Sequence, residues 1–299
     1  MIDMTKGNPS KLIIKFALPM ILGNIFQQIY NLVDTVVVGK FVGVDGLAAV
    51  GSSFAIVVFI TSIIIGLTMG TGVILSQSYG AKDYHKFKKV SVASFIFIGL
   101  VTLLIMIISL IFIDIILNLF NMPDKLIYDS KAYLIIIIIG LIFTFLYNWG
   151  TSLLRAIGDS KRPLYFLIVA SIINVVLDLV FVIEFNLAVK GVAIATVIAQ
   201  GASAILTLIY VVKKVEFLKI SKKDLKVSKD TFNLVIRYSV LTSMQQSIMN
   251  FGILLVQGLV NSFGATVMAA FAAGVKIDSL AYMPVQDFGN AFATYVAQN

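Results

Sequence analysis

The chain has 299 residues, 59% of them hydrophobic and 13% charged, with a mean hydropathy of +1.00. Soluble domains are about 45–50% apolar and about 25% charged, so a water-soluble globule and a disordered chain are both excluded. There is no cysteine and one histidine, His85, which excludes disulfides, cysteine nucleophiles and multi-histidine metal sites and leaves an integral membrane protein.

A helix needs about 20 mostly apolar residues to cross a bilayer. Taken in chain order, eight such runs are predicted: 16–38, 47–76, 92–117, 132–154, 164–183, 191–212, 238–260 and 267–296. The first starts late, contains Asp34 and lacks a small-residue cleavage pattern, so no cleavable signal peptide is expected. The second and eighth exceed the length of a span and should tilt or project. Strands are excluded by continuously apolar stretches such as 103–108 and 134–139, since membrane strands alternate apolar and polar residues. The expected class is therefore all-α and polytopic, with eight transmembrane helices.

The formal charge of +8 is read as a topology signal and not as a nucleic-acid surface, because the basic residues sit in short tracts between apolar runs. Segments on the N-terminal side of the membrane carry 18 of the 23 Lys and Arg; the opposite side carries Lys40, Lys125, Lys131 and Lys190, and Lys276 lies within the eighth run. The positive-inside rule then places the N-terminus in the cytoplasm of a cell-membrane protein. His85 falls in the basic loop 82–89 and reads as a solvated residue.

The longest polar stretch, 213–230, suggests a six-helix unit at 1–212, a basic cytoplasmic linker at 213–236 and a two-helix remainder at 237–299. A weak internal echo joins the parts. Phe26-Gln27-Gln28 parallels Met244-Gln245-Gln246, and Gly43, Ala48, Ala49 and Gln77 match Gly264, Ala269, Ala270 and Gln298 at a constant offset. Either this echo is chance between apolar segments, or a second six-helix unit stops after its second helix.

Ionisable groups in hydrocarbon cost roughly 2.5–3.5 kcal/mol on insertion scales, so intramembrane acids mark candidate sites. Asp34 lies 18 residues beyond Phe16, about 27 Å along its helix. Asp178 lies about 22 Å beyond Pro163, with Asn174 one turn earlier on the same face. Thr196 is five residues inward from Gly191. All fall in the outer half at similar depth, and their all-oxygen chemistry suits sodium or shared protons; the alternative is that each acid reaches separately for the outer interface. Asp114 reads as interfacial. In the eighth span, Asp278 and Asp287, with Lys276 and Pro284, either pair internally or supply functional charge. Pro19 marks a bend or a packing kink. Gly66, Gly70 and Gly72 fit close helix packing.

The chain resembles the multidrug and toxic compound extrusion (MATE) family of secondary transporters along its whole length. The resemblance is carried by Leu18-Pro19, by Phe26-Gln27-Gln28-Ile29-Tyr30-Asn31-Leu32-Val33-Asp34-Thr35, and by Leu47-Ala48-Ala49-Val50-Gly51. It continues in Ser76-Gln77 with Tyr79-Gly80-Ala81-Lys82-Asp83, in Leu154-Arg155-Ala156-Ile157-Gly158-Asp159 through Pro163, and from Met283-Pro284 to Ala297-Gln298-Asn299.

The resemblance implies twelve helices in two six-helix lobes around a cavity that opens alternately to either side. Eight helices would then be one complete lobe and the first two helices of the next, a fragment of the whole. It further implies a monomer, no cofactor, and export of organic, often cationic, small molecules in exchange for protons or sodium. Asp34, Asn174, Asp178 and Thr196 match the family's N-lobe cation site position by position; Pro19, Tyr30 and Asn148 match positions linked with it. Span seven offers only Gln245, Gln246, Asn250 and Gln257 where some members carry an acid, so Asp278 and Asp287 are the second-lobe candidates. Two other readings remain: a flippase for lipid-linked saccharides, which the lack of Arg or Lys within the first six spans disfavours, and a non-transporting scaffold.

Overall fold

The computed structural model describes residues 2–119, 122, 124–218, 225–261 and 265–299, with the side chains at 216, 253–255, 257–261 and 265–280 outside the described set. The described chain is helical throughout. In order, the helices are α1 (Pro9–Val37), α2 (Val44–Gly80), α3 (Tyr84–Ile111), α4 (Ile113–Leu119), α5 (Asp124–Ala156), α6 (Lys161–Leu179), α7 (Ala188–Lys214), α8 (Lys229–Asn261) and α9 (Ala265–Gln298). Six of these, α1, α2, α3, α5, α6 and α7, are long and apolar enough to cross a membrane by length and composition. α8 and α9 add two more long helices where the seventh and eighth spans are predicted.

The helices overrun the predicted spans at several ends. α1 begins at Pro9, where Asn8 caps it by accepting a 3.3 Å hydrogen bond from the Lys11 N–H. α2 has 37 residues, about 55 Å at 1.5 Å per residue, which exceeds the roughly 30 Å hydrocarbon thickness. α7 continues to Lys214 and α8 starts at Lys229, so helices enter the polar stretch from both sides.

The third span differs from expectation. The run 92–117 is not one helix: α3 stops at Ile111, Phe112 turns (φ −99°, ψ 15°), and α4 restarts at Ile113. Neither proline nor glycine stands there to announce it. The turn sinks Ile113 and Leu117 into the main core and swings Asp114 toward α5, where Lys131 Nζ lies 2.6 Å from its carboxylate. The interfacial reading of Asp114 thus acquires a partner from a different helix.

The main core lies among α2, α3, α5 and α7 and extends to α8, with Ile64, Phe87, Leu134, Leu141, Phe145 and Val235 fully enclosed or nearly so. Trp149 of α5 donates 3.0 Å to Ser94 Oγ of α3, satisfying its indole where hydrocarbon would not. α1 packs on α9 while α2 packs on α8. That reciprocal pairing is what a two-fold relation between α1–α2 and α8–α9 would produce, and it agrees with the weak echo in sequence.

Small residues permit the α2–α8 contact. A Cβ on Gly66 or Gly70 would run into the backbone of Ser243 or Tyr238 on α8. At this distance hydroxyls cross the interface: Thr242 Oγ1 donates 2.6 Å to the Gly66 carbonyl and Ser243 Oγ donates 3.1 Å to Ile63. The glycine pattern therefore serves helix packing, as read from the sequence.

At one end of the bundle the chain's first residues tuck beneath the helices. Ile2 N–H donates 2.9 Å to the Gly158 carbonyl, and Gly158 has φ +81° with the Ile2 carbonyl against its Cα. Asn299 Nδ2 donates 3.0 Å to Met4, and Gln298 Nε2 donates 2.7 Å to Ala156.

Replacing Gly66 by Val should separate α2 from α8 and destabilise the protein by about 1–3 kcal/mol, the usual cost of overpacking. Gly51→Ala, which meets nothing within 4 Å, should leave the melting temperature in detergent unchanged.

Candidate functional site

α1, α2, α5, α6, α7, α8 and α9 surround one cavity of about 650 Å³. Its lining is mostly amides, hydroxyls and small apolar groups, and the charged side chains on it, among the described residues, are Asp34, Arg155 and Asp287.

At one end, helix geometry collects the acids. On α6, Asn174 and Asp178 lie one turn apart and both are enclosed, with exposures of 1% and 0%. Asp34 of α1 faces Asp178 closely enough for the two carboxyls to interact directly. Thr196 of α7 lines the same cavity as Asn174 and Asp34, and its hydroxyl donates 2.9 Å to the Val192 carbonyl.

Three of the four predicted site residues carry buried polar atoms without a hydrogen-bond partner among the described residues: Asp34 Oδ1, both oxygens of Asp178 and both amide atoms of Asn174. Most other hydroxyls in these helices are satisfied within their own turn. Ser53, Thr61, Ser76, Ser91, Ser171 and Thr207, for example, donate 2.7–2.8 Å to carbonyls four residues back. Leaving a buried polar group unpaired costs about 1–3 kcal/mol, and more for a charge. Two carboxyls and an amide with unpartnered atoms, on a cavity that Thr196 also lines, form an oxygen-rich pocket suited to a hard monovalent cation or to protons shared by the acids.

Both acid-bearing helices end in the same uncommon way. Directly after α1 and after α6 the chain makes a single π-helical turn, Val38–Val42 and Val180–Glu184. Their closing bonds reach five residues back, Gly43 N–H to Val38 at 3.0 Å and Phe185 N–H to Val180 at 3.2 Å. The turns touch one another, and Val37, Val38, Val182 and Val192 form a small apolar cluster over the acids. Such turns recur at functional sites, but nothing in the hydrophobic pattern distinguishes them from continued α-helix.

The supporting residues divide. Tyr30 is buried next to Asp34, and its phenol oxygen accepts 3.4 Å from Gln27 Nε2. Asn148 lines the cavity and donates 2.8 Å to the Thr144 carbonyl, while Thr144 bonds Gln200 through its hydroxyl. Pro19 is buried on the cavity wall, and α1 continues through it. Asp287 sits apart from the acids, toward the opposite end, where Asn24 Nδ2 donates 2.7 Å to it from α1. Asp278 lies outside the described side chains.

Two residues escaped the sequence reading. Tyr133 of α5 faces Asp34, Tyr30 and Asp178 within electrostatic reach, in a stretch where it reads as one more apolar position. Arg155, read as one of the orientation-setting cations, lines the cavity from the last turn of α5. The first six predicted spans themselves hold no Arg or Lys, and Arg155, one residue past the fourth, supplies the cavity a cation from the end of its helix.

The MatE family model matches residues 19–180. Probable multidrug resistance protein YoeA of Bacillus subtilis (strain 168) is 32% identical over 291 residues, which span 95% of this chain and 63% of that protein. Probable multidrug resistance protein YpnP of the same strain is 31% identical over 302 residues, 99% of this chain and 66% of that protein. The chain thus spans just under two thirds of the length of these relatives. Among solved structures, the outward-facing conformation of a multidrug resistance MATE family transporter of the MOP superfamily superposes with a TM-score of 0.90 at 24% identity, over 98% of this chain and 65% of that one, a likeness of fold.

If the unpaired carboxyls are held at a cost to stability, neutral isosteres should relieve it. Asp178→Asn is expected to raise the melting temperature in sodium-free detergent at neutral pH, measured by differential scanning fluorimetry. Ser171→Ala, which removes a locally satisfied hydroxyl, should not raise it.

Proposed function

The chain belongs to the MatE family, multi-pass membrane transporters and not enzymes, and from that premise we propose that the protein is a secondary active antiporter for organic, often cationic, compounds. Protons or sodium entering the cell drive the export, with no further cofactor, and the cavity opens alternately to the two sides. The N-terminus is cytoplasmic, as the lysine distribution favours, and the protein acts as a monomer in the cell membrane. YoeA and YpnP are described as probable multidrug resistance proteins, which supports a drug-like substrate class for this chain.

The observation that carries the reading is the cluster of unpartnered atoms on Asp34, Asn174 and Asp178, on a cavity that Thr196 also lines and that is large enough for a small organic molecule. In an apolar surrounding, two carboxylates close together repel, and a sodium ion or proton between them removes that repulsion. Ion occupancy therefore draws α1 and α6 together at Asp34 and Asp178, whereas an empty site favours their separation. Because α1 also forms a wall of the cavity through Asn24, Gln27, Gln28 and Asn31, the ion's position on α1 is transmitted to the surface a substrate touches. Ion and substrate bound to different states of one helix exchange with each other, which is the requirement for antiport.

A flippase for lipid-linked saccharides needs several cations to hold phosphates. Arg155 is the one basic side chain on the cavity among the described residues, against Asp34 and Asp287, so the antiporter reading is favoured.

The test is transport in proteoliposomes with proton and sodium gradients imposed separately. Export of a fluorescent organic cation should follow one gradient, and Asp34→Asn or Asp178→Asn should lower the driven rate at least about tenfold, an activation cost near 1.4 kcal/mol. Export by Asp34→Asn at the parental rate under both gradients would sink the proposal.

A further inference from the structure

At the end of the cavity away from the acids stands a second pair of charges that ion coupling leaves unused. Arg155, in the last turn of α5, lines the cavity; its Nε is buried without a partner, and among the described residues its guanidinium makes neither a hydrogen bond nor an ion pair. Across the cavity, Asp287 of α9 is 2% exposed and accepts its 2.7 Å bond from Asn24, with the Asn290 side chain also close. Arg155 and Asp287 are near enough for their charges to interact, yet they do not close into a salt bridge. On the Arg155 side, Ser160 (2% exposed) and Thr151 (3% exposed) line the same wall, and the hydroxyl of each is buried without a partner.

Opposite charges sharing a low-dielectric cavity attract strongly and ordinarily pair. Here Asn24 of α1 holds the Asp287 carboxylate, and among the described residues Arg155 keeps its planar donor fork unpaired. A guanidinium in that state suits a carboxylate, which it grips with two parallel hydrogen bonds. A buried carboxylate held by neutral amide donors suits an ammonium group.

We infer that this end of the cavity binds a zwitterionic head group of the α-amino-acid type, its carboxylate on Arg155 and the unpartnered Ser160 hydroxyl, its ammonium on Asp287. The inference rests on the cavity being the substrate cavity of a transporter, and it narrows the substrates from organic cations to compounds that carry both charges. Part of the remaining wall also suits a polar ligand. Gln27, Gln28, Asn31, Asn148, Gln200 and Gln246 present amides that a hydrogen-bonding molecule can use and a purely lipophilic cation cannot.

Three fluorescent probes of matched size separate the charges: Nε-dansyl-L-lysine carries both, its methyl ester only the ammonium, and its Nα-acetyl derivative only the carboxylate. The purified protein should bind dansyl-lysine about tenfold more tightly than either derivative, as expected for an added charge-assisted contact. Arg155→Gln should abolish the preference over the ester, Asp287→Asn should abolish the preference over the acetyl form, and Arg155→Lys should retain part of the first. Equal binding of all three probes by the parent, or an unchanged preference in Arg155→Gln, overturns the inference. If Arg155→Gln does not fold, the parent's three-probe comparison and Arg155→Lys decide the matter. Tetraphenylphosphonium, a permanent cation, is measured alongside. Should it bind while dansyl-lysine shows no preference, the zwitterion site falls and the transporter reading stands; should neither bind, both fall.

Discussion

Hydrocarbon offers no hydrogen-bond partner, and that constraint shapes most of what these helices do with their polar side chains. Hydroxyls bend back onto their own turns, as Ser53 does onto Ala49 and Thr207 onto Ser203. Others bridge to a neighbouring helix where glycine lets it approach, as Thr242 does at Gly66. Against that background the carboxyls of Asp34 and Asp178 and the amide of Asn174 stand out, because each is a buried carboxyl or amide with polar atoms that find no partner among the described residues. Such an exception persists only if the unsatisfied groups have a purpose that packing does not supply.

The cavity is consequently polarised. Its one end holds two acids without a counter-charge, and its other end holds Arg155 and Asp287 without contact between them. α1 touches both, through Asp34 near its C-terminus and Asn24 ten residues earlier, about 15 Å along the helix axis. One helix thus contacts both ends of the cavity. The π turns that finish α1 and α6 keep the acids clear of the bundle's rim and pack against each other instead of into bulk solvent.

Much of this was legible in the sequence. Continuous apolar runs located the helices, because length and hydropathy are what the bilayer selects, and the same logic made Asp34, Asp178 and Asn174 conspicuous by depth alone. The residues that stayed hidden depend on neighbours distant in the chain. Lys131 became the partner of Asp114 only through a turn at Phe112 that no proline or glycine announces. Arg155 reads as a topology cation because the last turn of a helix is where such cations belong; that its guanidinium faces inward is decided by α9 and α1. Asn24 gains its role only from Asp287, which meets it from 263 residues away. Periodicity reports the face of a helix, not which other helix will cover it.

The pairing of Asp34 with Asp178 also has a consequence in time. The two acids are 144 positions apart, and chains are synthesised at about 5–20 residues per second. α1 therefore enters the bilayer roughly 7–29 seconds before α6 exists, with its carboxyl and no second oxygen donor to share an ion. During that interval the first helix is the least comfortable segment in the membrane, and its insertion relies on the apolar residues around Asp34, on protonation, or on the insertion machinery itself. A substitution that helps the finished transporter at this position can thus hinder or ease its birth independently, and expression level and activity of Asp34 variants are separate quantities.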